Sequence, residues 1–291
     1  MPGILILGAT GMLGHKLVQI LAPEHEVYAT IRGTSSRISN CAGLFRGARI
    51  IDDLCVDSND SIVPVLDRYR PDVVVNCIGI VKQLPAACDP VAAISINALL
   101  PHRLQRLVGD RGGRFIHIST DCVFSGTQGR YRESDVPDAT DLYGKTKALG
   151  EPSGANCLTI RTSIIGRELF RRSGLLEWFL AHRGGTVSGY RYAIFSGLTT
   201  LALSRILDTV ISSHPQLAGL YHAAASPIDK YSLLTLIQRS ASVPIRVVQE
   251  DSVACDRSLD GSRFEQATGV RVPDWETMIA DLAEDITQYE G

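Results

Sequence analysis

Tyr143 and Lys147 stand four apart in Tyr143-Gly144-Lys145-Thr146-Lys147, a spacing that puts both on one face of a helix, one turn apart. A phenol with a reference pKa of ~10 can give a proton to an oxygen that is gaining charge, and a nearby ammonium stabilises the phenolate left behind. Ser119-Thr120-Asp121 closes an apolar run upstream, where strand ends aim hydroxyls into a cleft. The Thr120 hydroxyl can hold a carbonyl in register with the phenol. Together Thr120, Tyr143 and Lys147 form a catalytic set for reducing a ketone, which needs a hydride on carbon and a proton on oxygen. The spacing alone also occurs on exposed helices, and Lys145 reads as a solvent-facing lysine. Its weight comes from what precedes it in the chain.

A hydride donor needs a cradle, and Gly8-Ala9-Thr10-Gly11-Met12-Leu13-Gly14 supplies one between an apolar run and a helical pattern. Glycines there permit a tight turn, close approach of backbone to a pyrophosphate, and close packing of helix on strand. The phosphates then meet free N–H groups at a helix N-terminus. Gly8, Thr10, Gly11, Met12 and Leu13 are the expected contacts. After the second strand, Thr30 to Arg37 holds no carboxylate to bind a ribose diol. Arg32, with Arg37 and neighbouring hydroxyls, suits a 2′-phosphate instead. NADP(H) is the preferred cofactor and NAD(H) the alternative. Asp57 follows a short third strand, placed to reach the adenine. Cys77, Ile78 and Gly79 follow Asn76 at the sheet edge, beside the cofactor riboses.

The elements that must position these groups alternate between short β-branched runs and helical patterns, which predicts a parallel sheet covered by helices. Strands are expected at Ile4–Leu7, Glu26–Ile31, Asp72–Asn76, Arg114–Ser119 and Cys157–Ile165, with a helix at Leu13–Leu21. Ile4–Leu7 is apolar throughout, as a strand buried on both faces should be. Beyond Gly166 the pattern loosens. Helices at Leu175–Ala181, Leu198–Ile211, Lys230–Arg239 and Trp275–Tyr289, and a strand at Leu220–Ala224, are expected. The fold class is therefore α/β, a doubly wound Rossmann sheet over residues 1–165 with a smaller α/β substrate-binding part over 166–291, interleaved with the first. Trp178 and Trp275 are expected to anchor helices.

Composition sets outer limits. With 45% hydrophobic and 21% charged residues the 291-residue chain is an ordinary globular protein, and a net charge of −2 opposes general nucleic-acid binding. Seven cysteines without a C-x-x-C spacing suit reduced thiols, so no metal site and a cytoplasmic location are expected. No leader peptide is visible, and no apolar run approaches the ~20 residues that span a bilayer.

At this point the chain resembles the extended short-chain dehydrogenase/reductase superfamily, and within it the dTDP-4-dehydrorhamnose reductases and related nucleotide-sugar reductases. The likeness rests on GATGMLG (8–14), PDVVVNCIG (71–79), STDCVF (119–124), YGKTK (143–147), IRTSIIG (160–166) and GLYHAAA (219–225). It implies that Tyr143, Lys147 and Thr120 act as the triad and that Lys147 also binds the nicotinamide ribose. It places Ser163 by the carboxamide and Asn97 on a helix behind the site, holding a backbone group or water. The implied ligand is a nucleotide-diphosphate sugar. Asp121 is a substrate or second-layer contact, Arg257 a partner for the diphosphate, and Lys82 and Gln83 reach toward the sugar. Tyr190–Gly197 and Cys255–Ser258 fall where relatives place substrate contacts.

Ile164 and Cys122 replace a tryptophan and a tyrosine common in the family, both on the substrate side. Cys122 lacks a His partner and reads as a small buried residue. The function implied is reduction of a 4-keto-6-deoxy nucleotide sugar. The alternatives are an epimerase or dehydratase of the same superfamily, or a non-catalytic dinucleotide-binding regulatory subunit. A second copy of the chain is the one protein partner left open.

Overall fold

The computed structural model describes residues 1–56, 59–82, 88–170 and 172–289. Asp57 and Gln83 lie outside the described residues. The first half builds β1 (Gly3–Leu7), α1 (Gly14–Leu21), β2 (Glu26–Thr30), β3 (Arg49–Ile51), α2 (Asn59–Tyr69) and β4 (Val73–Asn76). It continues through α3 (Pro90–Ala93), a π-helical stretch at Ile94–Leu99, α4 (Leu100–Gly109), β5 (Arg114–Thr120), α5 (Leu142–Leu149) and β6 (Cys157–Thr162). In β1 the side chains alternate between two cores. Ile4 and Ile6 pack with Leu17, Val18 and Leu21 of α1, while Leu5 and Leu7 pack with Ile62 and Leu66 of α2 and Leu104 of α4. A strand apolar on both faces has helices on both faces because each face must be covered.

The second half adds β7 (Ile164–Ile165), α6 (Leu175–Leu180), β8 (Thr186–Phe195), β9 (Leu198–Thr199), α7 (Thr200–Ser213) and β10 (Gly219–His222). After these come β11 (Ile228–Asp229), α8 (Lys230–Ser240), β12 (Arg246–Asp256), α9 (Ser262–Thr268) and α10 (Trp275–Gln288). The main sheet has the order β10-β6-β5-β4-β1-β2-β3, every neighbouring pair parallel. From β1 the chain winds outward to β3, then crosses to β4 on the other side. That reversal opens a crevice at the carboxyl ends of β1 and β4, the place where doubly wound sheets bind ligands.

Two expected elements divide. The run Cys157–Ile165 breaks at Ser163, whose carbonyl turns to accept the Leu198 amide at 2.9 Å, so β6 ends and β7 pairs with β9. The helix expected from Leu198 begins at Thr200, because Thr199 is extended and its Oγ1 caps the Ala202 amide at 3.2 Å. β10 returns from beyond residue 166 to pair with β6, and Leu203, Leu207 and Val210 of α7 pack with α1 in the larger core. A second sheet, ordered β11-β8-β12, stands apart from the first. Its strands β8 and β12 were not expected, since most of their residues are only partly buried or exposed and the period-2 apolar signal is faint.

Candidate active site

The glycine loop is fixed before any ligand arrives. Thr30, at the end of β2, accepts the Gly8 amide on Oγ1 at 3.2 Å and the Ala9 amide on its carbonyl at 3.0 Å. Gly8 has φ +80°, and a Cβ there would stand 3.0 Å from Ile78 Cγ1, so the loop abuts the end of β4. A Cβ on Gly14 would stand 2.2 Å from the Gly8 carbonyl oxygen. Gly11 differs: a Cβ there would meet only the Gly8 oxygen, at 3.3 Å, and otherwise open space above the helix. Among the described residues the Met12 and Leu13 amides donate to no carbonyl. Bare amides, open space and a helix N-terminus fit a dinucleotide pyrophosphate. Thr10 and Met12 are half-buried beside it, whereas the Leu13 side chain belongs to the core and only its backbone faces the loop.

Arg32 is exposed beyond β2. Arg37 Nη1 donates to the Arg32 carbonyl at 2.9 Å, and its guanidinium lies 5.6 Å from the Phe170 ring. In the same loop the Ser35 amide and hydroxyl donate to Asp52 at 3.1 and 3.0 Å. Across the crevice Asn97 clasps the loop after Gly79, accepting the Ile80 amide and donating to the Ile80 carbonyl, both at 2.9 Å. It holds a backbone group, one of the two roles expected of it.

Tyr143 and Lys147 sit on α5, whose start is capped by Asp141 Oδ1 accepting the Gly144 amide at 2.8 Å. Gly144 lets this helix press on β5's extension: a Cβ would stand 2.3 Å from the Cys122 oxygen. Burial raises the Tyr143 phenol well above its ordinary pKa, and neighbouring Cys122 and Asp121 add to this, while a hydrogen bond with Thr120 opposes it. Thr120 Oγ1 donates to Asp121 Oδ1 and accepts the Cys122 amide, each at 3.1 Å. Lys147 is buried and donates from Nζ to the Ile118 carbonyl at 2.8 Å; burial brings its pKa down to about 8. The sequence-predicted triad is thus brought together at the carboxyl end of β5.

The substrate side is more scattered. Asp121 is buried, and burial raises its carboxyl above the usual range against hydrogen bonds from Cys122 and Thr120 and the charges of Lys230 and Arg257. Arg257 follows β12, and its Nε donates to the Phe124 carbonyl at 2.7 Å. Lys82 stands on the rim, 2.9 Å from Asp141 and thus tied to the cap of α5. Cys122 is a thiol pushed by burial up to about 12, unsuited to nucleophilic work. Trp275 anchors its helix, donating to the Ser226 carbonyl at 2.7 Å, whereas Trp178 lies half-exposed against His182.

Sequence reasoning missed Lys230. It opens α8, lies with Nζ 4.2 Å from the Phe195 ring centre, and faces Asp121, Cys122 and Cys255. A lysine at the first position of a helix opposes the helix dipole, and that was the available signal. Among the described residues no cluster of His, Cys, Asp or Glu could hold a metal, and no helix is long and apolar enough to cross a membrane.

Sheet order, glycine loop and switch-point crevice define a Rossmann-type α/β protein. More narrowly, the chain belongs to the family described as RmlD substrate binding domain, which matches residues 1–288. It is 32% identical to the dTDP-4-keto-6-deoxy-D-glucose reductase of Streptomyces niveus over 59% of this chain and 54% of that one. The chain spans about half the length of the first curated relatives it matches. The dTDP-4-dehydrorhamnose reductase of Salmonella typhimurium is 25% identical with 94% of each chain covered. The Methionine adenosyltransferase 2 subunit beta of Bos taurus is 31% identical over 51% of this chain and 41% of that one. Among solved structures, the dTDP-4-dehydrorhamnose reductase of Bacillus anthracis in complex with NADP shares the fold, with TM-score 0.79, 20% identity, and 98% and 99% of the two chains covered.

Proposed function

We propose that this chain is an NADP(H)-dependent reductase that converts the 4-ketone of a 4-keto-6-deoxy nucleotide-diphosphate sugar to a hydroxyl. The observation that carries the reading is the half-buried Tyr143 beside Thr120, one helical turn from the buried Lys147, along the same sheet edge that holds the glycine loop. The whole-length relatives named as sugar reductases support the substrate class. Residues 1–165 hold the cofactor and the part beyond 166 holds the sugar, with β10 lent back to the first.

The bare amides of Met12 and Leu13, with Gly8, Thr10 and Gly11 forming the turn beside them, would take the pyrophosphate, Arg32 and Arg37 the 2′-phosphate, and Cys77–Gly79, Ser163 and Lys147 the nicotinamide half. When bound, the nicotinamide supplies the hydride. Thr120 turns its hydroxyl from Asp121 to the substrate carbonyl and holds it. Tyr143 gives its O–H proton to the oxygen as that atom gains charge, and the Lys147 ammonium stabilises the phenolate. A phenol raised by burial keeps its proton until such an acceptor appears. Lys230 and Arg257 flank Asp121 as cations for the sugar and diphosphate, with Lys82 at the rim.

An epimerase or dehydratase fits less well, because Cys122 stands where a dehydratase carries a glutamate after Asp121. A non-catalytic dinucleotide-binding regulatory subunit has behind it only that the Bos taurus relative is named as a subunit, and the assembled Thr120, Tyr143 and Lys147 oppose it. In a cytoplasmic setting all seven cysteines would stay reduced. The test follows oxidation of NADPH, and in parallel NADH, on dTDP- and UDP-4-keto-6-deoxy sugars. Tyr143→Phe should lower kcat by roughly 10²–10⁴-fold, the usual worth of a positioned acid. NADPH that binds but is not oxidised by either sugar would remove the reductase reading.

A further inference from the structure

The hydrogen bonds beneath Lys147 have a direction, and it can be followed from the backbone outward. Asn76, buried at the end of β4, accepts the Ile78 amide on Oδ1 at 3.1 Å. That fixes its carboxamide, so the other arm, Nδ2, is a donor; it lies 3.2 Å from His117 Nδ1. His117 Nδ1 must therefore accept. The imidazole is fully buried and held far below its ordinary pKa by burial and by the nearby Lys147, so it is neutral. A neutral imidazole that accepts at Nδ1 carries its proton on Nε2. Nε2 is 3.5 Å from Lys147 Nζ. An N–H aimed at an ammonium sets donor against donor, whereas an amine offers it a lone pair. The amine can still donate to the Ile118 carbonyl at 2.8 Å.

We propose that Asn76 and His117 are positioning residues that present an N–H to Lys147 and so weaken its hold on the ammonium proton in the cofactor-free protein. The other groups around Lys147 were weighed. Cys77, after β4, and Glu151, beyond α5, favour the ammonium, but the Cys77 thiol is itself pushed up by burial to about 12 and stays neutral. Glu151 is shared with Arg161, which grips it at 2.8 and 2.7 Å, and with the Ser119 hydroxyl at 2.6 Å. His102 on α4 adds to the pressure on His117, and Tyr143 on Lys147's own helix is a neutral phenol. Only the ammonium can stabilise a phenolate, so by lowering the pH at which that proton leaves, the pair sets the alkaline limit of turnover. That consequence rests on the reductase reading; the tautomer and the weakened ammonium do not.

The experiment uses the cofactor-free full chain, which separates it from that reading. Lysine labelled with ¹³C at Cε is titrated by NMR, with the Lys147 signal assigned by its loss in Lys147→Met. Histidine labelled with ¹⁵N reports which His117 nitrogen carries the proton. Lys147 should titrate near pH 8, well below the other lysines, and His117 should be protonated at Nε2. His117→Phe keeps a flat ring against Phe115, which His117 now stacks on at 6.3 Å, but removes the N–H. It should raise Lys147's proton affinity at least about tenfold, one pH unit. Asn76→Asp should go further, because a carboxylate demands the proton at Nδ1 and turns the Nε2 lone pair toward Lys147. A wild-type His117 protonated at Nδ1 overturns the proposal without any variant. So does a Lys147 that titrates with the other lysines, or one that stays near pH 8 in His117→Phe.

Discussion

On the proposed reading, Arg32 and Arg37 decide which cofactor the crevice prefers. Arg32 leaves the end of β2 exposed, and Arg37 braces it by bonding its carbonyl while lying over Phe170. Two guanidinium groups around an unclaimed corner favour a phosphate ester over a diol. Removing Arg32 as Arg32→Ala should weaken NADPH binding roughly ten- to a hundredfold, the worth of a hydrogen bond to a charged group at about 1.5–3 kcal/mol. NADH binding should change little. Fluorescence titration of both cofactors reads this directly, and an equal loss for both would place Arg32 away from the 2′-phosphate. The place of these arginines beyond β2 was legible because they stand next to a motif. Thr120, Tyr143 and Lys147 were legible for the same reason. Lys230 and Thr30 were not: one reaches the site from more than a hundred residues downstream, the other works through its backbone carbonyl and its hydroxyl.

The loop between β1 and α1 shows that glycines in one motif fail in different ways when replaced. Gly14 touches the turn itself, so a Cβ at 2.2 Å from the Gly8 oxygen must push backbone apart. Gly14→Ala should cost about 1–3 kcal/mol of stability, as other overpacked sites do, and take cofactor binding with it. Gly11 has open space on the ligand side, so Gly11→Ala should leave the melting temperature nearly unchanged yet weaken NADPH binding at least tenfold. Thermal melts and titrations on the two variants separate the cases; a Gly11→Ala protein that binds NADPH normally would show that the pyrophosphate does not approach there. The strands of the main sheet were legible because both faces are apolar and glycine or helix signals bound them. β8 and β12 were hidden by their exposure. In β12, Arg246, Val248 and Gln249 are exposed, and backbone pairing to β8 rather than a buried face holds them in place. Pairing between segments sixty residues apart leaves no local trace.

Across the whole molecule, the tail is fastened to the sheet by buried polar contacts as well as by the core. Lys16 of α1 meets Asp285 of α10 at 2.5 Å with both side chains nearly closed to water, and Arg114 of β5 donates to the Val210 and Leu217 carbonyls. Two histidines complete these seams in the neutral form. His15 Nδ1 donates to the Gly11 carbonyl at 2.7 Å, which leaves Nε2 to accept the Tyr289 hydroxyl at 2.6 Å. His222 Nδ1 donates to the Tyr131 carbonyl at 3.1 Å, and its Nε2 faces Arg161 at 3.4 Å. A second proton on either ring would turn an acceptor into a donor facing a donor. Burial, with the charge of Lys16 on one and Arg161 on the other, brings both pKa values down from 6.5 to about 4. Between pH 6.5 and 4 the unfolded chain then binds protons that the native protein refuses, so stability falls as pH falls through that window. It changes little from these groups above 6.5 or below 4. Each histidine contributes on the order of 3 kcal/mol to that loss, so together they can remove a large part of an ordinary margin of about 5–15 kcal/mol. Urea midpoints should hold level from pH 7.5 to 6.5 and drop steeply toward pH 4, with a shallower drop in His15→Asn. A midpoint that stays flat down to pH 4 would mean that these seams open to water or accept the extra proton, and that the neutral rings are not what joins the tail to the sheet.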